Sequence, residues 1–182
     1  MPINAELREQ VRARANFACE YCGITETDAG GLLTIDHYQP QQKGGDDSLE
    51  NLLYCCYRCN QYKLDYWPNK PDTPDAPQLW HPQREPFDRQ FLLLEDGVLH
   101  ALTQTAAFTI TRLRLNRAPL VAHRLRQLRE AEQRQLLNRY EELLFSLRSL
   151  TGQQAALLTE QQKLLQEQHS LLALLLRQRE EG

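Results

Sequence analysis

Apolar and polar positions alternate in three distinguishable ways along the chain. Asn4 can cap a helix running to about Ala15, with Leu7, Val11 and Ala15 recurring on one face. Leu32-Leu33-Thr34-Ile35 is a short β-type run ending at Asp36-His37, and Asn51-Leu52-Leu53-Tyr54 is a second. Between them, residues 40–50 are polar and contain Gly44-Gly45, which predicts an ordered surface loop. A helix opens at Cys56 and should end before Pro68. Six prolines then fall between residues 68 and 86, marking a linker or an extended, draped segment. Phe91–Leu94 and Val98–Leu102 flank Glu95-Asp96-Gly97, a hairpin pattern, and residues 104–117 read as helix. From about Pro119 onward nearly every residue favours helix. Leu136, Leu143 and Leu150 repeat every seven positions, as do Leu157, Leu164 and Leu171, and Leu158, Leu165 and Leu172. Thr151-Gly152 interrupts the pattern, so this arm reads as a helical hairpin or as a kinked helix pairing with another chain. Packing against its own domain is the plainer alternative.

Composition narrows the class. The 182 residues carry a formal net charge of −3, which argues against a uniformly basic coat. The start, MPINAELREQV, has no apolar core of a signal peptide, and the longest apolar run, Leu171 to Leu176, is too short to span a bilayer. A cytoplasmic protein without membrane association is expected. All five cysteines fall between Cys19 and Cys59, clustered as two C-x-x-C pairs, which fits metal ligation better than a disulfide framework. Cys19, Cys22, Cys56 and Cys59 can supply four thiolates to one Zn²⁺, and such a site is closed and structural. Cys55 is spare; using it with Cys59 would give a less favourable C-x-x-x-C turn.

Candidate chemistry lies between the knuckles, at Asp36-His37, Asn51 and Asn60. The stretch CEYCG, followed by TIDHYQPQQKGGDDSLENLLYCCYRCNQYK, resembles the HNH endonuclease family in its zinc-containing form, over roughly residues 8–67. The resemblance implies a ββα-metal element, two short strands, a loop and a helix around one divalent ion. It implies His37 as general base, Asp36 and Asn60 as ligands of the catalytic ion, and Asn51 as organiser of the loop through backbone hydrogen bonds. Asn60 stands where the second histidine of the motif would be, so the chain reads H-N-N. The implied products carry 5′-phosphate and 3′-hydroxyl ends. A neutral imidazole suits proton abstraction from water, and hard oxygen ligands suit Mg²⁺ or Mn²⁺. Lys63, one turn beyond Asn60, is a candidate phosphate contact. Tyr38 and Lys43 are candidates for the substrate groove; His81, His100, His123 and His169 read as surface or packing residues.

Charge is unevenly spread. Residues 1–75 hold seven Lys/Arg against twelve Asp/Glu, whereas residues 112–139 hold eight arginines against Glu130 and Glu132. That basic stretch, with Arg124, Arg126 and Arg129 foremost, is a candidate DNA contact, unless it pairs with the acidic module or forms a solvated face. The expected architecture is therefore α+β. Residues 1–67 form an HNH module stapled by zinc, residues 68–118 a Pro-rich linker with a hairpin/helix extension, and residues 119–182 a helical hairpin or coiled-coil arm. The expected function is DNA endonuclease, with a homodimer or partner protein held through the C-terminal helices. The rivals are a non-catalytic zinc-ribbon module that binds nucleic acid or recruits a partner, and an RNase.

Overall fold

The computed structural model describes residues 3–68 and 77–180, so Pro71 and Pro74 of the expected linker lie outside the described residues. Helix α1 (Ala5–Arg14) begins where Asn4 Oδ1 accepts the Leu7 N–H at 2.6 Å, which satisfies one of the amides left over at a helix start. Val11 is fully buried from this helix, and Leu7 and Ala15 pack beside it. After a one-turn helix, α2 (Glu26–Ala29), strands β1 (Thr34–His37) and β2 (Leu52–Cys55) pair antiparallel, with Thr34 opposite Cys55 and His37 opposite Leu52. Helix α3 (Tyr57–Lys63) follows directly and packs on β1 and on α5 (Gln104–Leu113).

The second half of this unit is a hairpin carried on short helices. A single turn, α4 (Phe87–Gln90), leads into β3 (Phe91–Leu93), which pairs with β4 (Leu99–Ala101). Gly97 closes the turn at φ +79, and a Cβ there would also meet the Val121 carbonyl at 2.8 Å. Only glycine satisfies both demands. The expected helix over residues 104–117 stops at Leu113, because Arg114 turns into the left-handed region at φ 50. Asn116 then bridges back to β4, accepting from Leu99 N at 2.8 Å and donating to Leu99 O at 2.9 Å.

Two compact units result, Met1–Leu128 and Arg129–Gly182. The knuckle module and the hairpin/helix extension share the first. Residues 77–86 drape onto it: Leu79, Trp80 and His81 are buried, and Trp80 N donates to Thr109 Oγ1 at 2.8 Å. Burial of large apolar residues such as Leu52, Leu53, Leu113, Leu115 and Leu120, each worth ~1.5–3 kcal/mol, holds the unit together. Helix α6 (Ala118–Glu180) enters the first unit with Leu120 and supplies the whole described helix of the second. It runs through Thr151-Gly152 without a break, so the hairpin expected there does not form. One interior glycine costs only ~1 kcal/mol relative to alanine, and Thr151 Oγ1 stays satisfied at 3.0 Å from Leu147 O.

Candidate active site and metal cluster

The first C-x-x-C lies on a tight turn. Gly23 takes φ +76 and donates to Cys19 O at 2.8 Å, while Cys19 N donates to Ile24 O at 2.8 Å. The second pair opens α3. Cys56 is its N-cap, and its Sγ accepts the Cys59 N–H at 3.4 Å, so the sulfur that can bind metal also satisfies the helix start. Cys19, Cys22, Cys56 and Cys59 place their sulfurs within 4.8 Å of one another, and the Cys22 and Cys56 sulfurs are 3.7 Å apart. Thiolates ~2.3 Å from a common centre stand about that far apart, so the donor set fits a tetrahedral Zn²⁺. Cys55 is not part of the cluster: it belongs to β2, is buried, and directs its Sγ to Cys56 O at 3.5 Å. Arg117 donates to Cys59 Sγ at 3.8 Å, placing a cation against the thiolates, a contact that sequence reasoning missed.

Alternation along β1 sends its residues to two sides. Thr34 and Asp36 face α3: Asn60 Nδ2 donates to Thr34 Oγ1 at 3.3 Å, and Lys63 Nζ lies 3.2 Å from each Asp36 oxygen. Lys63 has 0 % of its surface exposed and donates to His37 O at 2.6 Å as well. The expected phosphate contact is therefore corrected. This ammonium is spent inside the fold, held by the carboxylate and carbonyl it must satisfy. Asp36 is 7 % exposed, and its Oδ2 is buried without a hydrogen-bond partner. Burial pushes its carboxyl up to about 6, against the pull of Lys63 and of His37. The Oδ2 oxygen, paired with Lys63 by charge but not hydrogen-bonded, is a hard donor of the kind a divalent cation binds.

His37 faces the other way. Its Nε2 lies 2.7 Å from Asp47 Oδ1, and that hydrogen bond holds the Asp47 carboxyl below its ordinary range. An ionised Asp47 accepts the Nε2–H, which leaves the Nδ1 lone pair to take a proton. Gln41 Nε2 donates to the same oxygen at 2.9 Å. Asn51 shapes the loop: its Oδ1 accepts from Gln39 N at 2.8 Å, and its Nδ2 donates to Gln39 O at 3.1 Å and Asp46 O at 2.8 Å. Gly45 completes it, since a Cβ there would stand 1.8 Å from Gln39 O and 2.8 Å from Asn51 Nδ2. Asp47 escapes sequence reasoning, and Gly45 reads there only as a loop glycine, because ordinary solvated loops contain the same residues. Only their position within the loop after His37 points to them.

The remaining expectations divide by burial. Arg124 is buried: its Nε donates to Gly97 O at 2.6 Å, and its Nη2 to Leu115 O at 3.0 Å and Asn116 Oδ1 at 3.1 Å. It ties the hairpin turn to α6, which corrects its expected DNA contact, because a buried guanidinium must spend its donors on the fold. Arg112 likewise donates to Lys63 O at 3.0 Å. Arg126 is exposed and lies 3.2 Å from Asp28; Arg129 is exposed. Tyr38 is buried, donates to Leu79 O at 2.5 Å and packs against His81, and it lines a small cavity with Tyr66, Trp67 and Arg84; Lys43 is exposed. His81 and His123 are buried packing residues, and His100 and His169 are exposed.

An antiparallel two-stranded ribbon, a loop pinned by an asparagine, and a short helix tied to the ribbon by four cysteines define the class of zinc-knuckle ββα modules. Residues 19–65 match the HNH endonuclease family, so the first unit carries an HNH module. No curated protein and no solved structure matches the chain. The module suggests a nuclease-type function with a nucleic-acid substrate, and the four-cysteine cluster suggests zinc. Among the described residues, no helix is long and apolar enough to cross a membrane.

Proposed function

We propose that this chain is a metal-dependent DNA endonuclease acting in the cytoplasm, with His37 as general base and Asp36 and Asn60 as ligands of a Mg²⁺ or Mn²⁺ ion. The observation carrying this reading is the division of labour along β1. On one side Asp36 holds a buried oxygen that meets Lys63 by charge but accepts no hydrogen bond, and on the other His37 is oriented by an ionised Asp47. A bound divalent ion would polarise the scissile phosphate and stabilise the leaving oxygen. His37 Nδ1 takes the proton from the attacking water, while Asp47 fixes the ring and stabilises the imidazolium that forms. Asn51 keeps the loop that delivers Asp47 in place. Arg126 and Arg129, both exposed, are the proposed contacts for the substrate's phosphates.

A second reading has its own observation. Lys63 already neutralises Asp36, so the module would also be stable as a non-catalytic zinc scaffold. Incubation with plasmid DNA and a matched RNA, with Mg²⁺ or Mn²⁺, distinguishes the two, with zinc-loaded His37→Ala as control. DNA cleavage reduced ~10²–10⁴-fold in the mutant is expected, as for loss of a general base. Cleavage of RNA alone would replace the substrate, and intact polymers under every metal would leave the scaffold reading.

A further inference from the structure

In the second compact unit, every described side chain from Arg129 to Ala173 is exposed. Among the described residues of this unit, fourteen large apolar side chains are exposed, and thirteen of them share one stripe of α6. One edge of the stripe repeats every seven residues from Leu136 to Leu171, and the other from Leu137 to Leu172, with Thr151 as its single polar member. The column between them holds Tyr140 and Leu147, then Gln154, Gln161 and Gln168. The thirteen apolar residues are each 50 to 63 % exposed. At 1.5 Å rise per residue the stripe is about 55 Å long and, at ~10 Å width, covers on the order of 500 Å², near the limit of what monomers leave uncovered.

We propose that this stripe is covered by the same segment of further copies of the chain, associated in parallel and in register. The central column selects that occupant. A glutamine amide carries both donor and acceptor, so facing copies of Gln154, Gln161 and Gln168 satisfy one another across the seam. A purely apolar partner would leave three amides unsatisfied within it. The column also selects the direction. Antiparallel overlap of the whole stripe would set Leu147 against Gln161 and Tyr140 against Gln168, whereas parallel overlap sets like against like. A seven-residue repeat of this kind winds helices into a left-handed supercoil.

The test uses the full chain and measures its mass by light scattering across a hundredfold concentration range, with zinc content as a check on the first unit. The wild type is expected as a homo-oligomer. Gln161→Lys and Gln161→Glu each place like charges at one level of the parallel seam, and each should weaken association at least tenfold. Mixing those two variants should restore it, because lysine then faces glutamate. Mixing Gln161→Lys with Leu147→Glu, which would face each other only in the antiparallel overlap, should not. A wild-type monomer throughout the range, unaffected association in the single variants, or restoration only in the second mixture would overturn the proposal.

Discussion

The four thiolates and the Asp36–His37 pair hang on the same ribbon and helix, yet they are built to opposite ends. Cys56 and Cys59 leave the first turn of α3, while Asn60 and Lys63 project from the next. The cluster presents four soft sulfurs to one centre and closes it. The neighbouring site offers hard oxygen, holds one carboxylate oxygen by charge alone without a hydrogen bond, and leaves the His37 side chain partly accessible, at 19 %. A site whose donors are all mutually engaged stabilises the chain; one left incomplete is available for chemistry. The closed site also fixes the open one, because the sulfurs hold α3 at the height where Lys63 meets Asp36.

The most severe way to test that contrast is to open the cluster. Cys59→Ser should remove the bound zinc and much of the first unit's stability. Structural zinc contributes folding free energy directly, so a loss of several kcal/mol, on the order of 10 °C in melting temperature, is expected. Cys55→Ala is the matched control, since Cys55 is equally buried but outside the cluster. It should retain one zinc per chain and melt within a few degrees of the wild type. Equal losses in both variants would mean that the cysteines act as core residues rather than as ligands.

Selective metal removal separates the two sites chemically. Brief chelation should strip a cation held by carboxylate and amide oxygens while leaving zinc on four thiolates. Cleavage should then disappear, with melting unchanged, and return on addition of Mg²⁺ or Mn²⁺. Activity persisting with zinc as the sole remaining metal would assign the chemistry to the wrong site.

A smaller effect is expected at Asp47. As a positioning residue for His37, its conversion to Asn keeps a hydrogen bond but removes the charge that stabilises the imidazolium. Turnover should fall ~10–100-fold, as for other orienting partners, with KM, zinc content and melting temperature unchanged. A change in KM alone would place Asp47 at substrate binding instead.

What was legible in the sequence is what local spacing encodes. The two knuckles, the paired strands and the capped α1 each rest on residues close together in the chain. What was not legible depends on partners far away in sequence. Lys63 and Arg124 read as free cations until Asp36, 27 residues earlier, and Gly97, also 27 residues earlier, are seen to absorb them. Asp47 reads as one of several loop acids until the Gln39–Gly45–Asn51 contacts fold that loop beneath His37. Thr151-Gly152 reads as a break, but a single weak helix position does not overcome the strong helix formers on both sides.

The least disruptive test is acid, read at the packed scaffold. His81 packs at a tilt against Tyr38, its Nε2 lies 3.0 Å from Glu50 O, and burial holds its pKa down to about 4 from 6.5. Below 6.5 the unfolded chain takes up a proton that the folded chain refuses, so stability from this residue falls between pH 6.5 and 4. Glu26 acts in a lower window. Hydrogen bonds from Arg12, at 2.5 Å, and from Tyr54 hold it at about 2 against an ordinary 4.5, so its contribution is present above 4.5 and lost on the way to 2. Asp36 opposes both: its carboxyl, raised to about 6, gains a proton in the fold first and favours the folded state between 6 and 3.8. Differences between variants therefore carry more than any single melting curve. Relative to wild type, His81→Gln should lessen the decline in melting temperature between pH 6.5 and 4, and Glu26→Gln the decline below 4.5. Asp36→Asn should steepen the decline between 6 and 3.8. Curves for all three variants that stay parallel to the wild type would show that the scaffold's protonation is not linked to its folding in the way these contacts require.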